Sequence, residues 1–294
     1  MADGPQYKLE YYIMDKKIKP PYLIGEVGIN HNGSVQLAKK IILEAKKNNF
    51  DAVKLQKRDL KICIPKGQQE IERDTPWGRM TYLNYKKKIE LNKNNFNELV
   101  KFCKKIKIDL FCSAFDINSL KFLKQFKFKY NKIPSAMITN LKFLEAVAKQ
   151  KKKTFISTGM CNMNDIYRAV KIFKKFKCKF VLMHCVSEYP CPENKLNLRM
   201  IPNLKKKFKC EVGYSGHETS VSPSIFSWIM GADYIERHIT TDRSLWGTDQ
   251  SASIEPQGMN TLSGILKKAH TFFGDGKKKV SPVEKKMLKK FKYW

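Results

Sequence analysis

Short apolar runs alternate along the chain with longer segments in which apolar residues recur every three or four positions. The short runs lack the apolar–polar alternation of a half-exposed strand: residues 180–183 read Phe-Val-Leu-Met. Uninterrupted runs of this kind are typical of parallel strands that are buried on both faces. After the first run, Ser34 is a suitable helix cap, and Leu37 and Ile41 follow at helical spacing. The pattern therefore predicts parallel strands alternating with helices.

The alternation predicts eight strands and eight helices. The strands span residues 22–30, 51–56, 109–115, 130–135, 153–159, 179–185, 211–216 and 234–240. The helices span residues 34–49, 95–105, 118–125, 141–150, 164–176, 198–208, 221–230 and 258–273. Eight such units in roughly 250 residues fit a closed (β/α)8 TIM barrel, a fold of the α/β class. A doubly wound open sheet is the alternative, and it is disfavoured because no residues are left for a second domain.

The pattern divides the chain into three parts. We expect an N-terminal extension at 1–20 with a strand pair (a short β-hairpin) over 7–18, the barrel at 21–280, and a basic C-terminal tail at 281–294. Within the barrel, the segment from Lys57 to Asn94 is a long connection rich in charged residues, Pro and Gly. It follows the carboxyl end of a strand, which is the catalytic side of a barrel, so it predicts a functional loop or lid.

Composition excludes several other classes of protein. Hydrophobic residues make up 42% of the chain and aromatic residues 12%, which argues against global disorder. No apolar run approaches the roughly 20 residues that a bilayer requires, and the N-terminus has no secretory pattern. We therefore expect a cytoplasmic protein that does not enter a membrane. The eight cysteines include no Cys-x-x-Cys pair, so we expect reduced, mostly buried thiols.

The formal net charge of +30 comes almost entirely from lysine, because only seven of the 57 Lys and Arg residues are Arg. A nucleic-acid-binding protein would more often use arginine, whose planar group suits phosphates and base edges. The sequence thus favours a lysine-coated globular protein, and a basic nucleic-acid-binding protein is the less favoured alternative. A positive field would also steer anionic substrates towards the protein.

Polar side chains collect where the predicted strands end. The carboxyl ends of barrel strands meet at one end of the barrel, so we expect these side chains to converge there. They are Glu26, Asn30, His31, Lys54, Gln56, Ser113, Asp116, Lys132, Ser135, Ser157, Thr158, His184, Ser187, Tyr189, Ser215, His217, Glu236, Arg237 and His238.

Two kinds of chemistry are possible in this set. His217 and His238 could bind a divalent cation through neutral imidazoles beside Glu26, although a single His in a strand is more often a core residue. Lys54 and Lys132 offer ammonium groups to a phosphate or carboxylate, and a lysine inside an apolar strand needs an anionic partner. Further donors would be the hydroxyl groups of Ser135, Ser157, Ser187 and Ser215.

Five motifs follow one another in the sequence: IGEVGINHNG at 24–33, DAVKLQ at 51–56, FISTGM at 155–160, GYSGH at 213–217 and IERHIT at 235–240. Together they resemble the signature blocks of the N-acetylneuraminate (sialic acid) synthase family. The resemblance extends over residues 22–276. Several blocks in one order make a more specific signal than any block alone.

The resemblance implies an enzyme that condenses phosphoenolpyruvate with an N-acylated hexosamine, typically N-acetylmannosamine, to give a nonulosonic acid and phosphate. It implies a divalent metal, Mn²⁺ or Mg²⁺, on His217 and His238, and a role for Glu26 in positioning water. Glu26 and His238 are accordingly the expected catalytic residues. The implied phosphoenolpyruvate-binding residues are Lys54, Lys132, Ser157, Ser187 and Ser215, and the implied sugar-binding residues are Gln56, Tyr189 and Asp249.

Two departures from the family concern the sugar. Members commonly carry a C-terminal antifreeze-like domain, whose Arg reaches the sugar of the partner in a homodimer, and this chain stops at Trp294. We expect that domain to be absent, to be supplied by another chain, or to be missing from a fragment. Where many members have an acidic residue that contacts the sugar, this chain has Ala136. A bacterial relative of N-acetylmannosamine is therefore a possible substrate.

One enzyme alternative remains at this stage. A synthase of an eight-carbon sugar acid would condense phosphoenolpyruvate with a phosphorylated sugar. That sugar would need further Arg or Lys at the mouth of the barrel, and residues 57–79 could supply them.

Overall fold

The computed structural model describes residues 19–294, so the strand pair predicted at 7–18 lies outside the described residues. Eight parallel strands form a closed barrel in which each strand pairs with its neighbours in the chain and the last pairs with the first. The strands are β1 (Tyr22–Gly28), β2 (Ala52–Lys57), β3 (Asp109–Ala114), β4 (Asn131–Ile133), β5 (Thr154–Ser157), β6 (Phe180–His184), β7 (Glu211–Gly216) and β8 (Tyr234–His238).

One long helix follows each strand and packs outside the barrel. These helices are α1 (Val35–Lys47), α2 (Lys93–Ile106), α3 (Ile117–Leu123), α4 (Leu141–Ala148), α5 (Met163–Lys175), α6 (Met200–Phe208), α7 (Ser222–Ile229) and α8 (Pro256–Lys268). All eight predicted strands and helices are present with shifted ends, and the predicted barrel is confirmed. Six of the eight predicted strands end one or two residues after the observed strands, because their last residues already belong to the turns.

Local chemistry explains where the helices begin. The hydroxyl of Ser34 accepts a hydrogen bond from the backbone N–H of Leu37 at 3.1 Å, as the sequence pattern predicts. Helices α2 and α5 begin with reciprocal caps, formed by Asn92 with Asn95 and by Asn162 with Asp165. Each helix then buries one apolar face, which packs against the strands because that burial removes apolar surface from water.

Aromatic rings fill the amino end of the barrel interior. The rings of Tyr22, Tyr130, Phe155 and Tyr234 pack with centroids 5.0–6.0 Å apart, and Phe111 adds to the same layer. Because successive inward residues on a strand are two positions apart, this layer lies directly below the polar residues of the strand ends. The interior of the barrel is therefore filled at its amino end and open at its carboxyl end.

The long segment after β2, residues 58–94, is folded and will be called the connection. It contains short helices at Leu60–Cys63 and Lys66–Gln69, a two-stranded ribbon of Glu72–Arg73 with Met80–Thr81, and a longer helix at Tyr82–Ile89. Tyr85 and Ile89 of that last helix pack against Ile29, just after β1. The connection is thus fixed to the carboxyl end of the barrel.

The C-terminal segment, the cysteines and the lengths of the helices complete the description of the fold. The basic segment 281–294 contains helix α9 (Pro282–Phe291), which the sequence pattern did not predict and whose residues are exposed. All eight cysteines are free. Among the helices of residues 19–294, none is long and apolar enough to cross a membrane.

Between β8 and α7 lies a fully buried ion pair. Nη1 of Arg237 lies 3.0 Å from Oε1 of Glu218, and both side chains have no exposed surface. Arg237 also donates to the carbonyl of Ser220 at 2.7 Å and to the hydroxyl of Ser224 at 3.0 Å. The ion pair joins the last strand to the loop after β7, and the hydrogen bond to Ser224 joins it to the first turn of α7.

We expect Glu218→Gln to lower the free energy of unfolding by about 3–5 kcal/mol, because it leaves the guanidinium of Arg237 buried without a counter-charge. Urea denaturation followed by circular dichroism measures the change. The matched control is Glu98→Gln, which removes the exposed pair of Glu98 with Lys39 and should cost below about 1 kcal/mol. Equal effects of the two substitutions would contradict the role of the buried pair.

Candidate active site

The strand register brings the predicted site residues side by side. Glu26 in β1 pairs with Lys54 in β2 on one side and with His238 in β8 on the other. Glu236 in β8 pairs with Ser215 in β7. Since alternate residues of a barrel strand point to the same side, the side chains of Glu236 and His238 both point into the barrel. The residues therefore form one layer above the aromatic rings.

This layer lines a cavity of about 200 Å³ at the carboxyl end of the barrel. Ser187 is the one predicted site residue that does not line it. The predicted residues that do line it are Glu26, Lys54, Gln56, Lys132, Ser157, Tyr189, Ser215, His217, His238 and Asp249.

Two buried lysines are held by two buried glutamates, and we call these four residues the lysine–glutamate network. The ammonium group of Lys54 is paired with Glu26 and lies 3.7 Å from Oε1 of Glu236. Lys132 donates to both carboxylate oxygens of Glu236, at 2.8 and 2.9 Å. Lys54 also donates to the hydroxyl of Ser113 at 2.9 Å. Each ammonium group thus has a carboxylate partner.

Burial and neighbouring charges shift the pKa values in this network. Burial lowers the pKa of Lys54 to about 7, and the charge of Lys132 adds to this effect, whereas Glu236 opposes it. For Glu236, burial favours the neutral acid, but the charges of Lys132 and Lys54 outweigh it and hold the pKa well below its ordinary value. Glu236 is therefore ionised at neutral pH, and about half of the Lys54 side chains are protonated there.

A group of hydroxyls surrounds Gly159 at the end of β5. The backbone N–H of Gly159 donates to the hydroxyl of Ser135 at 3.1 Å, and Sγ of Cys185 lies 3.2 Å from the same hydroxyl. The hydroxyl of Ser187 is buried here and has no hydrogen-bond partner among the described residues. A Cβ on Gly159 would overlap Ser187 and come within 2.8 Å of Ser135. The glycine keeps open a space that hydroxyl donors line, as an anion requires.

Two neutral imidazoles face each other across the cavity. The ring centroids of His217 and His238 are 5.5 Å apart. Nδ1 of His217 lies 2.6 Å from the carbonyl of Val186, which places the proton on Nδ1 and leaves Nε2 as the free acceptor. Nδ1 of His238 is buried, has no hydrogen-bond partner within residues 19–294 and lies 3.5 Å from Oδ2 of Asp249.

The histidines suit a metal ion as two of its ligands. Burial lowers the pKa of both, that of His217 to about 3 with the help of His238, so both rings are neutral at physiological pH. The hydrogen bond from His217 to Val186 fixes its ring in the way that ligating histidines usually are. No group of three His, Cys, Asp or Glu in residues 19–294 could hold a metal by itself. The remaining ligands would have to be water or substrate.

Glu26 also belongs to a chain of hydrogen bonds on the other side of the cavity. Nε2 of Gln56 donates to Oε1 of Glu26 at 3.1 Å, and Arg58 donates to Oε1 of Gln56 at 2.5 Å. Gly28 lies beneath this chain with φ of +52°, and a Cβ there would be 3.1–3.2 Å from Gln56, Glu26 and Asp249. Only glycine, which has no Cβ and tolerates a positive φ, allows these polar side chains to keep their positions.

Besides Ser187, six of the strand-end residues lie outside the cavity, so the prediction that all of them converge is wrong. Their polar groups bind nearby backbone or side chains instead. Asn30 donates to Ile239 and Ser253, His31 accepts from Gly33, Asp116 caps α3 through Ser119, Thr158 donates to Met183, His184 contacts Leu196 and Arg237 pairs with Glu218.

Three charged residues that line the cavity had no individual role in the sequence prediction: Glu236, Arg58 and Lys86. Of these, Arg58 lies within residues 57–79, which were expected to be able to supply cations at the mouth of the barrel. The sequence could have placed Glu236 in the site, because it precedes His238 by two positions on one strand and its side chain therefore points to the same face. Arg58 and Lys86 lie in the connection, whose lack of periodicity gives no signal for which residues turn towards the barrel.

Comparison with known proteins identifies the family. Residues 41–278 match the NeuB family. The chain belongs to the NeuB family. It is 37% identical over 276 residues to an N,N'-diacetyllegionaminic acid synthase of Campylobacter jejuni, which covers 92% of this chain and 83% of that protein. It is also 37% identical over 258 residues to an N-acetylneuraminate-9-phosphate synthase of Drosophila melanogaster, which covers 86% of this chain and 69% of that protein.

A solved structure agrees with these relatives. The N-acetylneuraminic acid (sialic acid) synthetase of Leptospira borgpetersenii, crystallised with citrate, superposes with a TM-score of 0.80 at 31% identity and covers 94% of this chain and 93% of that chain. The predicted resemblance to the sialic acid synthase family is thus confirmed, and the chain is an enzyme of that family. The roles of individual residues, a homodimer and a cytoplasmic location stay predictions.

We expect Lys54 to lose its proton as the pH rises through about 7, whereas an ordinary lysine keeps it until about 10.4. Reductive ¹³C-methylation of the lysines followed by NMR titration should reveal this resonance. It should be missing from the spectrum of Lys54→Arg, which retains the positive charge and assigns the signal. A Lys54 resonance that titrates together with the exposed lysines would show that burial does not control its charge.

Proposed function

We propose that this enzyme condenses phosphoenolpyruvate with an N-acylated hexosamine, N-acetylmannosamine or a related sugar, to give a nonulosonic acid and inorganic phosphate. One observation carries the proposal: a single cavity joins two buried ammonium groups, a carboxylate and two neutral imidazoles. The names of the relatives support it, because their products are acids of this class.

Phosphoenolpyruvate would bind at the lysine end of the cavity. Its phosphate and carboxylate would take hydrogen bonds from Lys54 and Lys132 and from the hydroxyls of Ser157 and Ser215, which line the cavity. Ser187 lies against Gly159, and its buried hydroxyl has no partner among the described residues, but it does not line the cavity, so its contact with phosphoenolpyruvate stays a prediction. An anion near Lys54 would favour its protonated form and thereby raise its pKa.

Glu26 would position the attacking water molecule and accept its proton. The methylene carbon of phosphoenolpyruvate would use the electron pair of its double bond to form the new carbon–carbon bond to the sugar aldehyde, which leaves the adjacent carbon cationic. The C=O electron pair of the aldehyde would move onto its oxygen, which becomes a hydroxyl by taking up a proton. Glu26 would orient a water molecule towards the cationic carbon and accept the proton that water loses as the new C–O bond forms. The C–O bond to phosphate would then break as the new hydroxyl loses its proton and becomes a ketone, and the ammonium groups would stabilise the departing phosphate.

His217 and His238 would hold the divalent cation, Mn²⁺ or Mg²⁺. When bound, that ion acts as a Lewis acid that polarises the sugar aldehyde. Asp249, 3.5 Å from Nδ1 of His238, would hold this ring in place. The ring of Tyr189, whose centroid is 4.1 Å from that of His217, would close the cavity beside the sugar. Gln56 completes the proposed sugar end through its hydrogen bond to Glu26.

The central experiment measures phosphate release from phosphoenolpyruvate by the purified protein with Mn²⁺ and a panel of N-acylated hexosamines. Mass spectrometry should identify a nonulosonic acid formed in equal amount to the phosphate. Turnover that depends on both substrates is the expected result. Phosphate release with no sugar-derived acid, or no release with any member of the panel, would contradict the proposed function.

We expect Gly28→Ala to lower kcat/KM for the condensation by about tenfold or more, because the added methyl group displaces Glu26, Gln56 and Asp249. The matched control is Gly78→Ala: Gly78 also has a positive φ, +91°, but an added Cβ there meets nothing. Both variants carry backbone strain, so steady-state kinetics separates strain from crowding of the site. Equal losses in the two variants would show that the crowding is unimportant.

We expect His238→Ala to lose most of its affinity for Mn²⁺, because it removes one of only two imidazoles in the cavity. Electron paramagnetic resonance of free Mn²⁺ measures this affinity without any turnover. His270→Ala removes an exposed histidine and is the control. The metal assignment fails if both variants bind Mn²⁺ alike, or if the wild-type enzyme keeps full activity after chelation.

A further inference from the structure

A second concentration of positive charge lies outside the barrel, at its amino end. There the chain leaves the helices α3 and α4 and enters the strands β4 and β5. An open groove of about 640 Å³ lies between the ends of the two helices, and we call it the lysine groove. Four lysines and one amide side chain line it: Lys124, Lys127, Lys149, Gln150 and Lys152.

The ammonium groups of the lysine groove have no counter-charge. None of the four lysines forms an ion pair with a residue in the range 19–294, whereas their neighbours Lys129 and Lys153 do. Partial burial lowers the pKa of Lys152, and the charge of Lys124 adds to this effect. The carboxyl ends of the two helices contribute about half a negative charge each, which four ammonium groups outweigh. The groove therefore has a surplus of positive charge that an anion would neutralise.

The base of the groove contains two hydrogen-bond donors without acceptors. A narrow cavity of about 10 Å³ lies there, which has room for about one oxygen atom, and Lys124, Gln150 and Lys152 line both spaces. The side-chain amide nitrogens of Gln150 and Asn131 are buried and have no hydrogen-bond partner in the part of the chain that the structure describes. Buried donors without acceptors are unfavourable, so an acceptor oxygen at the base would stabilise this arrangement.

The lysine groove is separate from the candidate active site. Asn131 and Lys132 are neighbours on β4, and neighbouring side chains of a strand point to opposite faces. Lys132 points into the barrel, where it donates to Glu236, so Asn131 points outward to the base of the groove. An anion in the groove would therefore not occupy the proposed phosphoenolpyruvate site.

We propose that the lysine groove is a second anion-binding site, which binds the diphosphate group of a small molecule. This inference does not depend on the proposed function. Two linked phosphoryl groups can contact lysines at both helix ends, while one oxygen accepts from the amides of Gln150 and Asn131. The volume falls in the range of about 300–1,000 Å³ that small-molecule sites occupy. A nucleic acid would instead need a continuous basic track, whereas these donors converge on one recess.

Isothermal titration calorimetry with inorganic pyrophosphate tests the site, in a buffer that contains no phosphate and no divalent cations. We expect one saturable site that persists when phosphoenolpyruvate is in excess, and inorganic phosphate should bind about tenfold more weakly. The double variant Lys124→Gln/Lys127→Gln should weaken pyrophosphate binding by about tenfold or more, because it removes charge-assisted contacts. Gln150→Leu should weaken it by about fivefold without any change of charge.

The next strand–helix unit of the barrel supplies a matched control. Lys174 and Lys177 have the spacing of Lys124 and Lys127, lie at the end of α5 and line a cavity of about 410 Å³. Among the described residues that line this cavity, none has a buried side-chain nitrogen or oxygen without a partner. The double variant Lys174→Gln/Lys177→Gln removes the same charge, and we expect it to change the affinity for pyrophosphate by less than about twofold.

Four outcomes would overturn the proposal: no binding of pyrophosphate, its displacement by phosphoenolpyruvate, equal weakening in the two double variants, or unchanged affinity in Gln150→Leu. Equal weakening would mean that pyrophosphate responds only to the general charge of the surface. A single-stranded oligonucleotide that displaces pyrophosphate at a lower concentration of phosphate groups would assign the groove to nucleic acid instead. Since no turnover is measured, these results are independent of the condensation reaction.

Discussion

The ammonium groups of Lys54 and Lys132 lie inside the barrel with 3% of each residue exposed, where an unpaired charge would cost several kcal/mol. Glu26 and Glu236 offset that cost, and together the four residues form a network in which each ammonium group has a carboxylate partner. An incoming anion must compete with these carboxylates for the ammonium groups. When it does, Glu26 is released from its partner in the place where the proposed reaction needs a carboxylate near water.

The same burial sets the protonation of the other groups in the cavity. It disfavours charge on His217 and His238, so both imidazoles stay neutral and able to bind a cation at a pH where a free histidine would be partly charged. It also brings Lys54 close to its midpoint at neutral pH. The aromatic layer below the site keeps water out from the amino end, which maintains this low polarity.

The barrel and the connection supply different parts of the site. Strand residues provide the lysine–glutamate network, the hydroxyls and the imidazoles, and their positions are fixed by backbone hydrogen bonds between neighbouring strands. The connection provides Lys86, and Arg58 stands where the connection leaves β2. The barrel thus fixes the buried charges and the imidazoles, and the connection adds charged groups at the rim of the same cavity.

The pattern of residues along the chain is sufficient to predict the barrel and most of the polar layer. Uninterrupted apolar runs require burial on both faces, and residues two apart on such a run must share a face, so Lys54 with Gln56 and Ser215 with His217 follow from spacing alone. Which strand-end residues turn inward depends on contacts that form only in the folded chain. Arg237, between Glu236 and His238, faces outward to Glu218, while Arg58 and Lys86 reach the cavity because the connection folds back over β1. Contacts between segments far apart in the chain control these positions, and no local pattern of residues encodes them.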